Sequence, residues 1–158
     1  HTLRVRGFSD LPSPTSDLKG AMAYVDEFDF AALCDGTQWL PMGKPVYDFG
    51  MFYPSTPTSS EVMQKIGVVR DIEIPADMSG AIGEVGTNPT SQFDMDVRNE
   101  GISIGTISVA TNGAFTFTTA SNEVRKVAGG TFLTIHAPGS VDATIADIAL
   151  SIPAVLSL

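Results

Sequence analysis

From Val46 onward the chain alternates apolar and polar positions with a period of two, the pattern of a strand that buries one face. In "DIEIPA", Ile72 and Ile74 alternate with Asp71 and Glu73; in "SQFDMDV", Phe93, Met95 and Val97 alternate with Asp94 and Asp96. "ADIALSIP" repeats the pattern through Ile148, Leu150 and Ile152. Turn residues separate these runs. Asn99-Glu100-Gly101 is one such turn and Asn112-Gly113 another, the latter a dipeptide that supplies the positive φ of a hairpin loop. In "ISIGTISV", Ile102 and Ile104 fall on one parity and Ile107 and Val109 on the other, so a bulge near Gly105 is expected to turn all four inward. With "VYDFGMFYP", residues 62 to 69, "AFTFTT", "NEVRKV" and "TFLTIHAP", the pattern predicts an all-β domain. Its expected form is an antiparallel β-sandwich, jelly-roll-like, of about eight strands. "SSEVMQKIGV" is the one helical candidate, and its Val content and Gly67 favour a strand. "GAIGEVG" (80 to 86) reads as a flexible loop, because it lacks the Lys and the strand-to-helix setting of a phosphate loop.

Before Val46 the pattern changes. Residues 9 to 20, "SDLPSPTSDLKG", are crowded with Pro, Ser, Thr and Asp and read as an irregular arm. There follow two short strands, one carrying Ala21, Ala23 and Val25 and the other Phe30 to Leu33, and then Asp35-Gly36, a signal for a two-residue hairpin loop. "MGKP" (42 to 45) resembles a linker. The expected organisation is therefore an arm and small β-hairpin module over 1–45 and a sandwich domain over 46–158. The arm, residues 1 to 20, is the segment expected to reach a neighbouring chain.

Composition narrows the functional classes. Hydrophobic residues make up 43% and charged residues 17%, with 15 Gly and 10 Pro, too apolar for a disordered chain and rich in turn formers. The formal net charge is -9, which opposes a phosphate backbone, so no nucleic-acid partner is expected. After Pro45 the bases Lys65, Arg70, Arg98, Arg125 and Lys126 face twelve acids. No apolar run approaches the roughly 20 residues of a membrane span, so no membrane insertion is expected. With one Cys and two His, neither an intrachain disulfide nor a conventional zinc site is expected, and no cofactor.

Several short motifs invite chemistry and yield to plainer readings. "GISIG" (101 to 105) matches G-x-S-x-G, but a strand and hairpin follow it rather than a helix, so Ser103 reads as a solvent-facing strand residue. A Ser103, His136 and acid convergence would be needed for hydrolysis, and no catalytic residue is assigned. Asp94, Asp96 and Asn99-Glu100 are oxygen donors close in sequence, without the spacing of a twelve-residue calcium loop, and are accounted for by an outer strand face. Cys34 lies beside Asp35, whose carboxylate raises rather than lowers a thiol pKa, and reads as inert. The aromatic residues that could contact a glycan or a partner are Trp39, Tyr47, Phe52 and Tyr53, with Trp39 favoured as cover for the small hairpin.

Two longer stretches carry a resemblance. "LPSPTSDLKGAMAYVDEFDFAALCDGTQWLPM" resembles a module of tailed-bacteriophage fibre and other virion proteins: a small-residue stretch, a Tyr24-Val25-Asp26 strand, then Cys34 before Asp35-Gly36-Thr37 and Trp39. "YDFGMFYPSTPTSSEVM", "FDMDVRNEGISIGTISVATNGAFTFTT" and "AGGTFLTIHAPGSVDATIADIALSI" are similar to a β-sandwich domain near the ends of phage tail and fibre proteins. Gly130 stands where that pattern commonly has Asp, and Glu100 where it has Gly or Asn. The resemblance implies a non-enzymatic virion structural protein, part of a tail fibre, head fibre or spike or a capsid decoration, on the exterior of the particle. It implies self-association, a homotrimer first, contacts with other virion proteins and possible host adhesion. The alternative is a carbohydrate-binding module for a bacterial surface polysaccharide.

Overall fold

The computed structural model describes residues 3–26, 30–43 and 46–157. The chain divides into two compact units, His1–Pro45 and Val46–Leu158. Among the described residues every extended element is a strand or a single 3-10 turn, and no helix is long and apolar enough to cross a membrane.

In the first unit, β1 (Leu3–Val5), β2 (Met22–Val25), β3 (Phe30–Cys34) and β4 (Trp39–Met42) form one sheet in that order. β1 runs parallel to β2, and the remaining pairs are antiparallel. Ala23, Val25, Ala32, Cys34 and Trp39 form a small core. The arm is irregular as expected, but the expectation that it contributes to no core is corrected here. Its proline-rich stretch makes no long element, yet Val5, Leu11 and Leu18 pack on that core, and the Trp39 indole N–H donates to the Pro12 carbonyl at 2.8 Å. A buried indole needs an acceptor, and the extended backbone supplies it. The arm thus belongs to this unit's core. Gly20 (φ +85°) then turns the chain into β2.

The turn between β3 and β4 keeps its hairpin but divides the labour differently from a simple Asp-Gly loop. Gly36 alone takes positive φ, at +99°. Asp35 acts through its side chain, Oδ1 accepting from the Thr37 and Gln38 backbone N–H groups, each at 2.8 Å. With the Thr37 hydroxyl added, these hydrogen bonds lower the Asp35 carboxyl to about 2. Met42, read as the start of a linker, ends β4, while Lys44 and Pro45 lie outside the described residues.

The second unit is an antiparallel sandwich. One layer is a five-stranded sheet, order β11 (Phe115–Thr119), β10 (Ile102–Val109), β9 (Phe93–Asn99), β13 (Thr131–His136), β6 (Val62–Val68). The other layer consists of two three-stranded sheets. These are β12 (Arg125–Val127), β7 (Ile72–Ile74), β15 (Val155–Leu156), and β5 (Phe49–Tyr53), β14 (Ala146–Ile152), β8 (Ile82–Thr87). The inward parity of each strand fills one core, with Phe93, Met95, Ile107 and Ile135 from the first layer and Ile72, Ile74, Ile148 and Ile152 from the second. "SSEVMQKIGV" is a strand from Val62.

Two expectations about this unit are corrected. The glycine-rich segment read as a loop is the edge strand β8, antiparallel to β14. It is a strand because its glycines fit against neighbours: a Cβ on Gly83 would lie 2.4 Å from the Phe115 ring, and one on Gly86 2.9 Å from Asp147. The bulge near Gly105 is present, as a register shift between Ser103 and Gly105. It brings Ile107 and Val109 into the core and Ile104 against it, but Ile102 stays 72% exposed. Ile102 is the first residue of β10, directly after the Glu100-Gly101 turn.

Candidate functional site

Strand parity decides which aromatic rings can meet a partner. Phe49, Met51 and Tyr53 share the inward parity of β5, which leaves Phe52 outward and 65% exposed. Tyr47 and Tyr53 are half-buried and packed on the core. The Tyr53 hydroxyl also donates to Glu61 Oε1 at 2.7 Å, which raises the phenol above its usual range. Glu61 accepts from the Thr58 N–H and hydroxyl as well, and its carboxyl is held below the usual range. Trp39 is 8% exposed. Of the four candidate rings only Phe52 presents a face, so a platform of two coplanar rings is not formed by them. Trp39, Tyr47 and Tyr53 each pack on a core, and Trp39 and Tyr53 also make a structural hydrogen bond.

Phe52 stands on the outer face of the β5-β14-β8 sheet. The register aligns Gly50, Ser151 and Ile82 in one row and Phe52, Ala149 and Glu84 in the next. Small residues occupy the middle strand and the Gly50 position of β5, while Phe52, Ile82 and Glu84 stand on the two edge strands. The result is a trough of about 470 Å³ whose lining includes Gly50, Ile82, Glu84, Ala149 and Ser151. Ile82 on one edge is 69% exposed. Sequence reading missed Ile82, since it sits in the segment taken for a loop.

The outer face of the five-stranded sheet mixes polar residues with the exposed Phe132 and Val62. Asp94, Asp96, Ser103, Thr106, Thr116 and Thr134 all point away from the core there, as a solvated face does. Asp96 is engaged on both oxygens, by Arg98 Nε at 2.6 Å and by the Ser103 hydroxyl at 2.6 Å. Asp94 accepts from Gln92 at 2.8 Å. Among the described residues no three His, Cys, Asp or Glu side chains gather as a metal site. His136 Nε2 lies 2.9 Å from the Thr134 hydroxyl. Ser103 is thus bonded to an acid and His136 to a threonine, which is not the relay a nucleophilic serine needs.

The sheet of the first unit is apolar on both faces. One face carries the core, including Cys34, whose thiol is buried. On the other, the register aligns Met22, Leu33 and Leu40 in one row and Tyr24, Ala31 and Met42 in the next. Met22, Leu40 and Met42 are exposed. On β1 the second row continues to Arg4, which is in register with Tyr24, lies 5.5 Å from the centre of its ring and pairs with Asp26 at 2.7 Å. The signal was present in "AMAYV" and "FAALC", which are apolar at both parities, the mark of a sheet covered on both sides. No family model matches the chain, and neither a curated protein nor a solved structure does.

Proposed function

We propose that the chain is a structural protein of a tailed-bacteriophage particle, from a fibre, a spike or a capsid decoration. It acts by association, with copies of itself and with other virion proteins, and displays its sandwich on the particle exterior. The observation that carries this reading is the exposed apolar area on the outer face of the β5-β14-β8 sheet, where Phe52 and Ile82 stand exposed and Gly50, Ala149 and Ser151 leave a trough beside Ile82. Exposed apolar area rimmed by polar groups marks a protein contact more often than a catalytic centre. The sequence resemblance to phage fibre modules supplies the biological setting.

Light scattering on the full chain at micromolar concentration tests the reading. A stable multimer, a trimer first, is expected, and a monomer at every concentration tried would overturn self-assembly. The second reading, adhesion to a bacterial surface polysaccharide, is favoured by one specific observation. Phe52 stands in one cross-strand row with Ala149 and Glu84, an exposed ring on the same sheet face as a hydrogen-bonding acid. Glycan-array binding that Phe52→Ala abolishes would move the assignment there.

A further inference from the structure

We propose that Asn112 is a site of spontaneous deamidation, at which the Gly113 backbone nitrogen attacks the Asn112 side-chain amide and leaves aspartate or isoaspartate in the β10-β11 hairpin loop. Attack on Cγ forms a nitrogen–carbon bond and closes a five-membered succinimide. The proton of the Gly113 nitrogen passes to solvent, and Nδ2 takes up a proton and departs as ammonia. Water then opens the ring at either carbonyl, giving aspartate by one route and isoaspartate by the other. Nothing is oxidised or reduced, and water is the one co-reactant. A nucleophile tethered one residue from its electrophile avoids the entropy cost of a bimolecular encounter.

The chain has four asparagines, and their surroundings separate them. Asn88 precedes Pro89, whose nitrogen has no proton to give up. Asn99 and Asn122 each precede a glutamate, whose Cβ crowds the attacking nitrogen, and in both the leaving amide is held. Asn99 Nδ2 donates to the Thr131 hydroxyl at 2.9 Å and to the Phe132 carbonyl at 3.2 Å, and Asn122 Nδ2 donates to both Asp77 oxygens at 3.1 Å. Asn112 is exposed and is followed by a residue with no Cβ. Its Oδ1 accepts from the Ala114 N–H at 3.1 Å, a donor that stabilises the oxyanion formed on attack. Its Nδ2 is bonded to no described residue, so ammonia leaves directly into solvent. The Asp35-Gly36 turn has the same backbone sequence requirement but a poorer electrophile. Asp35 is an ionised carboxylate whose Oδ1 accepts from the Thr37 and Gln38 N–H groups, and Gly36 packs against the Lys19 side chain.

The loop that must yield is lightly held. The Gly113 N–H donates to the Ala110 carbonyl at 2.8 Å, and attack requires that bond to open. It lies at the tip of a hairpin whose second strand, β11, is an edge of the five-stranded sheet, where local opening costs least. Both products add a negative charge to a chain already at -9. Isoaspartate also lengthens the backbone of a loop whose ends are fixed by the Val109–Phe115 pair. Gly113 approaches Asn88 so closely that a Cβ would lie 2.5 Å from its Oδ1, a contact that the longer loop disturbs.

The test is a time course of the full chain in mildly alkaline heavy-oxygen water, followed by peptide mapping, with Asn112→Gln in parallel. Glutamine would need a larger ring, and far-UV circular dichroism checks that the variant folds. At Asn112 both aspartate and isoaspartate are expected to accumulate, each carrying one heavy oxygen, while Asn88, Asn99 and Asn122 stay amides. Ion-exchange chromatography is expected to show the chain turning more acidic with time and Asn112→Gln holding its position. Should the glutamine variant misfold, Asn112→Ser is the second control. An Asn112 that stays an amide in the folded chain overturns the proposal. Conversion of Asn99 or Asn122 at the rate of Asn112 does so as well, and so does aspartate without isoaspartate, which would mean direct hydrolysis rather than attack by Gly113.

Discussion

Asp35 and Asp142 perform the same task in the two units, each opening an Asp-x-Thr sequence whose threonine bonds back to it. Asp142 does more. Its Oδ1 accepts from the Thr144 N–H at 2.8 Å and from the Thr144 hydroxyl, while Oδ2 accepts from the Thr90 and Ser91 N–H groups, each at 2.8 Å. One carboxylate therefore ties Thr90 and Ser91 to Asp142 and Thr144. The hydroxyls of Thr144 and Thr90, with the backbone donors, outweigh the opposing effect of burial and hold the carboxyl far below the usual range. A carboxyl lowered in the folded state stabilises the fold above its unfolded value of about 3.9, and that contribution is lost as pH falls below it. Asp142→Asn is expected to lower Tm at pH 7, with the gap to the wild-type chain narrowing as pH drops from about 4 to 2. Thermal melts across that range check it, and a gap independent of pH would mean that the ionised form carries no special stabilisation. Asp35, exposed and with a carboxyl near 2, is expected to show a weaker version of the same behaviour.

β8 shows how an element can depend on absences. Gly83 leaves space for the Phe115 ring, and a valine there would force the ring aside or push the edge strand off β14. Gly83→Val is expected to cost about 1–3 kcal/mol by overpacking, measured by urea denaturation, whereas Ile102→Thr, at an exposed position, is expected to stay within about 0.5 kcal/mol. Equal effects would mean that β8 adjusts freely. The contrast also explains what was legible. β9, β13 and β14 could be read from alternation because one face of each meets the core and the other does not. In β8 the order is inverted, with Ile82 outward and Gly83 inward, so alternation suggested nothing. β15 is two residues long and exists only by its pairing with β7. Phe52 could be picked from the parity of "FGMFY", but the trough beneath it could not. Ala149 and Ser151 look like any small residues on a strand's outer face until Gly50 and Ile82 are set beside them by the register. The docked arm was hidden for a similar reason. Leu11 and Leu18 are scattered in a polar stretch, and only the fold brings them to Trp39's core.

At the scale of the whole molecule the two units are unequal in what holds them. The core of the second comprises 21 buried residues, against Ala23, Val25, Ala32, Cys34 and Trp39 in the first. A unit of that size is close to the lower limit at which a single core holds a fold without a disulfide, a metal or a partner. The single cysteine rules out an intrachain disulfide. Trp39 is the chain's only tryptophan and belongs to the smaller core, so its fluorescence reports on the first unit. Far-UV circular dichroism is dominated by the eleven described strands of the second. In dilute solution the Trp39 emission is expected to shift to the red at lower urea than the loss of the dichroism signal. On the self-assembly reading, raising the protein concentration is expected to move the fluorescence transition upward, because association that engages the folded first unit stabilises it by mass action. The dichroism transition should also rise, and by less, since the second unit's own core carries most of its stability. Coincident transitions in dilute solution would show that the units unfold as one cooperative body, and a fluorescence midpoint independent of concentration would show that the small core needs no second copy.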